Sequence, residues 1–182
     1  MKRKTAKEIL ADSFRELAEQ KTVDKITVKY ITENCGYSTA TFYRQFKDKY
    51  DLIAWDYTRD LEEILSRIGT DINSWRKVLS DAAAYYDKHK KYLANLFLHT
   101  NGYDSFVHNM TKINYNSFKQ CILKVSKKDK LDIKTDMYVR TYCVGTVILS
   151  CDWILGKYKA TPQELAEVYE NSLPEPLRQY LY

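Results

Sequence analysis

Apolar residues recur at intervals of three and four along most of this chain, which is the spacing of one face of an α-helix. The first such face carries Ala6, Ile9, Leu10, Phe14 and Leu17. No sustained alternation of apolar and polar residues predicts a β-strand, and only five glycines and three prolines are present to interrupt helices. The pattern therefore predicts an all-α protein of about nine helices.

The second predicted helix is short, and it ends at a glycine that is followed by a new helix start. Thr27 suits the N-cap of this helix, since its hydroxyl can accept a hydrogen bond from an orphan backbone N–H. Gly36 suits its C-terminus, where a residue with positive φ is needed, and either Ser38 or Thr39 can cap the next helix. Two short helices joined by so tight a turn predict a helix-turn-helix.

The third predicted helix has one aromatic face and one polar face. Phe42 and Phe46 are four residues apart, so they share the buried face. The opposite side carries Thr39, Ala40, Tyr43, Arg44 and Gln45. In a major groove, short hydroxyls and methyls can approach thymine methyls, while arginine and glutamine can bond purine edges. The pattern favours DNA binding, and the alternative is an ordinary three-helix packing with a solvated polar face.

The run from Gly36 to Leu52, GYSTATFYRQFKDKYDL, resembles the signature of the tetracycline-repressor (TetR/AcrR) family of bacterial regulators in spacing and residue type. The resemblance covers roughly the first sixty residues. It implies phosphate contacts at Thr27, Tyr43 and Lys49, and positions near base edges at Lys29, Thr39, Ala40, Thr41, Arg44 and Gln45. Ser38 completes the predicted DNA-binding set.

Charge supports double-stranded DNA as the partner. Residues 1–50 contain 11 Lys and Arg against 7 Asp and Glu, a net charge of +4, whereas the rest of the chain has a net charge of +1. The basic start at residues 1–4 can lie on phosphates or in a minor groove, or it can be a disordered tail. We expect a DNA-binding domain at residues 1–50 and a sensing and dimerisation domain at residues 51–182.

The last two long predicted helices are candidates for a subunit interface. The first of them, residues 133–158, is apolar over much of its circumference, and the second starts with the capping pattern Thr161-Pro162-Gln163-Glu164. The family resemblance implies that both pair with their copies in a second subunit. Interface positions are expected at Leu149, Leu165, Val168 and Tyr169. One helix-turn-helix contacts few bases, so a homodimer on a pseudo-palindromic operator is expected, with a monomeric bundle as the alternative.

Aromatic side chains in the C-terminal part can either line a pocket or fill a core. The pocket candidates are Trp75, Tyr86, Phe97, Tyr115, Phe118, Tyr142 and Trp153. The family resemblance implies a repressor that leaves DNA when a small effector binds there. A further similarity, around Trp75, in the Leu96–Phe97 segment and in the Trp153–Gly156 run, is to regulators of dihydroxyacetone kinase operons. It implies the alternative of an activator that responds to a kinase-like partner protein.

Other chemistry finds little support in the sequence. None of the three histidines has a metal-ligand partner at helical spacing, the four cysteines form no CxxC pair, and no phosphate-binding glycine loop or nucleophile motif occurs. No enzyme activity, metal or cofactor is predicted, and a non-DNA-binding all-α module or an enzyme is the remaining alternative. No apolar run is long enough to cross a bilayer and no signal-peptide core follows Met1, so we expect a cytoplasmic protein without membrane contact.

Overall fold

A computed structural model describes residues 3–68, 74–100 and 105–182. Over these ranges the chain forms ten α-helices and one 3₁₀ turn and contains no strand, which confirms the all-α prediction. The helices are α1 (Ala6–Ala18), α2 (Val28–Cys35), α3 (Thr39–Gln45), α4 (Lys49–Leu65), α5 (Ser74–Lys88), α6 (Lys90–His99), α7 (Phe106–Ser126), α8 (Ile133–Ile154), α9 (Pro162–Asn171) and α10 (Glu175–Arg178), and the 3₁₀ turn is Val23–Lys25. Met1 and Lys2 of the basic start lie outside the described residues.

The first three helices pack around one small apolar core. Leu10 and Phe14 of α1, Ile31 of α2 and Phe42 of α3 are fully buried. Each such side chain contributes roughly 1.5–3 kcal/mol through burial. The hydroxyl of Ser13 donates to the carbonyl of Ile31 at 2.8 Å, which joins α1 to α2 inside the core. Packing against this core fixes the orientation of α3 on the protein surface.

Helix α4 is shared between the N-terminal helices and the rest of the chain. Its 17 residues span about 26 Å, and it packs against α1, α5 and α7. Leu52, Ile53, Tyr57 and Leu61 form its buried face. The predicted division between residues 50 and 51 falls in the first turn of α4. The two parts therefore meet through a continuous helix, along which a movement can pass.

The C-terminal helices form a bundle in which α5 packs on α9 and α7 packs on α8. The prediction extended α8 to residue 158, but the helix ends at Ile154. Gly156 adopts a φ of 83°, and the N–H of Lys157 reaches back to the carbonyl of Asp152 at 2.9 Å. Glycine tolerates this left-handed conformation, so it ends the helix early. Helix α9 starts as predicted, with a capping box between Thr161 and Glu164. No helix in the described ranges combines the length and apolar character needed to cross a membrane.

Candidate nucleic-acid interface

The turn between α2 and α3 is held by backbone hydrogen bonds and by one capping hydroxyl. Gly36 takes a φ of 73°, and the N–H of Tyr37 donates to the carbonyl of Thr32 at 2.9 Å. The hydroxyl of Ser38 accepts from the N–H of Thr41 at 3.2 Å, so Ser38 and not Thr39 caps α3. Local chemistry therefore defines both the end of α2 and the start of α3, which confirms the predicted helix-turn-helix.

Helix α3 is anchored by its aromatic face. Phe42 is fully buried and Phe46 is 2% exposed, with ring centroids 5.6 Å apart. Phe46 also contacts the ring of Trp55 at 5.7 Å, which fastens the end of α3 to α4. Tyr43 is 61% exposed on the opposite side, and Arg44 is exposed beside it. The anchoring leaves a polar helix face free in solvent, where a DNA groove can receive it.

The predicted DNA-binding residues fall into two groups by exposure. Exposed positions are Thr27, Lys29, Ser38, Thr39, Ala40, Tyr43 and Arg44, and half-buried positions are Thr41, Gln45 and Lys49. Thr41 shares a hydrogen bond with the Ser38 hydroxyl at 3.0 Å, so its side chain takes part in capping. Lys29 lies 3.7 Å from Glu33, and both are well exposed, so this pair contributes little and leaves Lys29 available.

Lys49 faces the protein backbone in this structure. Its Nζ donates to the carbonyls of Val23 at 2.8 Å, Ile26 at 3.0 Å and Asp24 at 3.3 Å. These bonds use all three ammonium hydrogens, and burial lowers the pKa of Lys49 below its ordinary value. The family resemblance implies a phosphate contact at this position. In the observed geometry, Lys49 instead holds the turn that precedes α2 through its bonds to the backbone carbonyls.

A second side chain holds the same turn from the C-terminal part of the molecule. The amide nitrogen of Asn95, on α6, donates to the carbonyls of Ala18 and Lys21, each at 2.8 Å. Its amide oxygen accepts from the N–H of Val23 at 3.1 Å. We call residues 18–26 the linker segment. Asn95 and Lys49 together connect this segment to α6 and α4. Sequence reasoning missed Asn95, because a polar residue between apolar helix positions carries no spacing signal.

A buried charge cluster joins α1 to α4, α5 and α6. Asp56 is fully buried, and it accepts from Arg15 Nε at 2.6 Å and from the hydroxyl of Tyr92 at 3.0 Å. Arg15 also bonds Asp60, which in turn accepts from the hydroxyl of Tyr85 at 3.2 Å. Asp56 occupies the buried face of α4 between Ile53 and Tyr57. The sequence analysis missed this cluster, and a carboxylate among such neighbours was the signal that could have indicated it.

The predicted effector-pocket residues divide between a cavity and other places. Trp75, Tyr86, Phe118 and Tyr142 line a cavity of about 70 Å³ between α5, α7 and α8. Small-molecule pockets commonly measure about 300–1,000 Å³. The remaining three candidates are elsewhere. Phe97 packs on Phe106 at 5.1 Å, Tyr115 bonds Asp136, and the indole of Trp153 donates to the carbonyl of Ala160 at 2.8 Å.

The residues predicted for the subunit interface also differ in how far they are buried. Leu165 and Tyr169 are buried within their own subunit, because α9 uses that face to pack on α5. Leu149 is half-buried, and Val168 is 46% exposed. The exposed side of α8 instead presents the large apolar side chains of Met137, Val144 and Ile148, and the exposed Leu155 follows directly after the last residue of the helix. Within the described part of the chain, no group of three or more His, Cys, Asp or Glu side chains is arranged to hold a metal ion.

The fold and the free polar face of α3 define a helix-turn-helix DNA-binding protein. Residues 10–54 match the model of bacterial regulatory proteins of the tetR family, and residues 73–174 match a transcriptional regulator C-terminal region of TetR type. The chain belongs to the TetR family of transcriptional regulators, which are DNA-binding proteins and not enzymes.

Sequence identity to individual relatives is low. The HTH-type dhaKLM operon transcriptional activator DhaS of Lactococcus lactis subsp. lactis (strain IL1403) is 22% identical over 98 residues, which make up 54% of this chain and 52% of that protein. The match thus spans about half the length of this curated relative.

Two solved structures show the same fold along nearly the whole chain. A dihydroxyacetone kinase operon activator DhaS has a TM-score of 0.67 at 18% identity, covering 97% of this chain and 98% of that one. A TetR transcriptional regulator from Rhodococcus sp. RHA1 has a TM-score of 0.64 at 13% identity, covering 93% and 98%.

Proposed function

We propose that this TetR-family regulator binds a pseudo-palindromic operator as a homodimer and acts in the cytoplasm as a repressor. The observation that carries the proposal is the free polar face of α3, rigidly seated on Phe42 and Phe46. In this arrangement Arg44 faces base edges together with Lys29, Thr39, Ala40, Thr41 and Gln45. Thr27 and Tyr43 lie on phosphates, and Ser38 holds the start of α3. Lys49 acts indirectly through the linker segment.

The homodimer uses the apolar side of α8. Met137, Val144 and Ile148 are separated by seven and four residues, which keeps them on one helix face, and Leu155 lies at the C-cap of the same helix. Side chains of this size are usually buried, and a second copy of α8 would cover them by pairing of the kind found in helical bundles. Val168 of α9 and the edge of Leu149 lie within the proposed interface, whereas Leu165 and Tyr169 support it from inside the subunit.

A signal from the C-terminal part has two structural routes to α3. The cavity is lined by Leu65, the last residue of α4, and the first residue of the same helix is Lys49. Asn95 links α6 directly to the linker segment. A shift of either helix would move the turn before α2, and hence α3. Release of the repressor by a small effector follows from such a shift, because two recognition helices must match one operator spacing.

A second candidate function is activation of transcription in response to a kinase-like partner protein. Two observations favour it. The cavity of about 70 Å³ is small for an ordinary effector, and DhaS, which the chain resembles in sequence and in fold, is named as a transcriptional activator. The two candidates share the same DNA-binding arrangement and differ in what reaches the C-terminal helices.

Fluorescence anisotropy tests the DNA-binding proposal. Labelled duplexes from the region upstream of the protein's own gene are compared with scrambled duplexes across a salt series. We expect tight binding to one pseudo-palindrome, with two subunits per duplex. Equal and salt-labile binding to every duplex would contradict operator recognition. In vitro transcription from the bound promoter then separates the candidates, since a repressor lowers transcript yield by itself and an activator raises it.

A further inference from the structure

The turn before α2 has its backbone carbonyls bound from the protein side and a lysine on its outer side. The ammonium of Lys49 donates to three carbonyls of residues 23–26, at distances of 2.8, 3.0 and 3.3 Å. Lys25 lies within this turn and is exposed. Because Lys49 holds the carbonyls on both sides of Lys25, the backbone from which Lys25 projects into solvent is fixed.

A second lysine of the linker segment lies over an aromatic ring. Nζ of Lys21 is 5.6 Å from the centroid of the Tyr30 ring, and Tyr30, on α2, is 46% exposed. The ring attracts the ammonium through its π-electrons, so Lys21 has a preferred position while its N–H groups stay available to an acceptor. Within the described part of the chain, neither Lys21 nor Lys25 forms a hydrogen bond or a salt bridge through its ammonium group. Both groups are therefore available to an anion.

Both lysines face one open recess between the linker segment and α2. The recess measures about 590 Å³, and its described lining consists of Gln20, Lys21, Thr22, Lys25 and Tyr30, without Asp or Glu. Acidic side chains of the adjoining turn and helix have other neighbours. Asp24 lies 3.4 Å from Nδ1 of His99, and Glu33 lies 3.7 Å from Lys29. The lining thus carries two positive charges and no negative one, which favours an anion.

The recess adjoins the start of α2, where Thr27 is the N-cap. The hydroxyl of Thr27 accepts from the N–H of Tyr30 at 3.2 Å, and Lys25 lies two residues before Thr27. In the proposed function, Thr27 lies on a phosphate of the operator. Every nucleotide of the strand carries a phosphate, so a strand that contacts Thr27 brings neighbouring phosphates close to the recess. The anion that the recess meets in the DNA complex is therefore the DNA backbone.

We propose that this recess binds backbone phosphates of the operator, one through Lys25 and one through Lys21, with Tyr30 as the positioning residue for Lys21. The contact rests on the proposed function, and its residues lie outside the set that the family resemblance implies. It supplies the positive charge that Lys49 cannot offer to DNA while its hydrogens bind backbone carbonyls. Because phosphates are alike at every base pair, the two lysines strengthen binding without reading sequence.

The salt dependence of operator binding tests the contact. Fluorescence anisotropy compares the wild type with Lys21→Ala, Lys25→Ala and the double variant at several salt concentrations. We expect the slope of log affinity against log salt to become shallower by about 0.9 in each single variant and by about 1.8 in the double variant. At about 0.15 M salt, each replacement should weaken binding roughly fivefold. Lys128→Ala with Lys130→Ala removes the same charge from the exposed loop after α7 and should leave the slope unchanged.

Two further measurements separate a direct contact from a general effect of charge. Replacement of single operator phosphates by uncharged methylphosphonate should reveal a position that weakens the wild type and has no effect on Lys25→Ala. Lys25→Arg should keep the wild-type slope, since a guanidinium also binds phosphate. Tyr30→Leu should weaken binding roughly two- to fivefold but add no loss to Lys21→Ala, whereas Tyr30→Phe, which keeps the ring, should bind like the wild type.

Other outcomes would overturn the contact and leave the proposed function intact. These are operator binding with the same slope in the wild type, Lys21→Ala and Lys25→Ala, with circular dichroism showing that the variants are folded, or an equally shallow slope in the Lys128 and Lys130 control. A methylphosphonate scan that affects the wild type and Lys25→Ala alike at every position would have the same meaning. Failure of the wild type to bind any duplex would instead contradict the proposed function, and the contact with it.

Discussion

The N-terminal helices and the C-terminal bundle differ in the direction in which their polar side chains point. In α3 the aromatic rings of Phe42 and Phe46 point inward, and the polar face meets solvent. Around the cavity the polar groups of Tyr142, Ser150 and Tyr169 point inward and bond one another, while the outer side of α8 is apolar. The first surface suits a charged, hydrated partner. The second combines polar groups that are satisfied inside with apolar side chains outside, which suits contacts that exclude water.

The largest effect is expected where the two regions join. Asp56→Ala removes the fully buried carboxylate that Arg15 and Tyr92 bond. Removing one member of a buried charge cluster costs up to about 3–5 kcal/mol, since Arg15 keeps only Asp60 and the buried hydroxyl of Tyr92 loses its acceptor. Thermal unfolding followed by circular dichroism should show a large loss of stability. Asp129→Ala, in an exposed loop, is the matched control and should melt like the wild type. Equal melting of both variants would mean that the cluster does not join the regions.

The apolar outer side of α8 gives the next effect. Ile148→Glu places a charge on a side chain that is 47% exposed, and the twofold axis would bring two such charges together. We expect dimerisation to weaken by about 2 kcal/mol or more, roughly thirtyfold, and operator binding to fall with it. Sedimentation velocity and anisotropy measure the two effects. Gln120→Glu adds the same charge on the exposed side of α7 and should change neither. A dimeric Ile148→Glu variant would place the interface elsewhere.

The Arg44→Ala variant tests the polar face of α3. Arg44→Ala should reduce discrimination between the operator and scrambled DNA by about 1–3 kcal/mol, while binding to scrambled DNA changes little. The reason is that a base contact specifies sequence, whereas a phosphate contact strengthens binding to any duplex. Competition anisotropy with both duplexes measures the ratio of affinities. Losses of equal size on both duplexes would remove Arg44 from base readout.

Lys49 distinguishes a direct contact with DNA from an indirect role. If Lys49 contacted a phosphate, its replacement by alanine would make the slope of log affinity against log salt shallower by about 0.9. Because the ammonium of Lys49 holds three carbonyls of residues 23–26, we expect Lys49→Ala to weaken operator binding several-fold with an unchanged slope. Lys29→Ala, which removes an exposed ammonium at the proposed interface, provides the contrast. A shallower slope for Lys49→Ala would restore the phosphate contact.

The smallest effect is expected on the C-terminal surface. Arg76 on α5 bonds both oxygens of Glu170 on α9, which holds the pKa of Glu170 below its usual range. A pKa that is lowered in the folded protein stabilises the fold at pH values above the pKa of the unfolded chain. This stabilisation is lost as the pH falls through the pKa of the folded protein. Glu170→Gln should therefore melt slightly earlier at pH 7, and the difference should vanish at strongly acidic pH. Melting curves across pH measure it, with the exposed Glu167→Gln as the control.

Local patterns were enough to predict the helix-turn-helix. Thr27 and Gly36 act through hydrogen bonds or backbone angles within a few residues, so their roles follow from spacing. The same holds for the capping box at Thr161 and Glu164. The sequence left the cap of α3 open between Ser38 and Thr39, and the structure shows that it is Ser38. The orientation of Leu165 and Tyr169 did not follow, because a helix with an apolar face can turn it toward its own subunit or toward another.

The amino-acid sequence by itself determined the helical class, the helix-turn-helix and the outward face of α3, since helix periodicity and caps depend on near neighbours. Tertiary structure alone decided that Lys49 and Asn95 hold the linker segment, that Asp56 bonds Arg15, and that the buried indole N–H of Trp75 finds no acceptor among the described residues. The bonded residues lie 23 to 77 positions apart, and the surroundings of Trp75 depend on the packing of several helices. Spacing along one helix carries no information about which distant group completes a hydrogen bond.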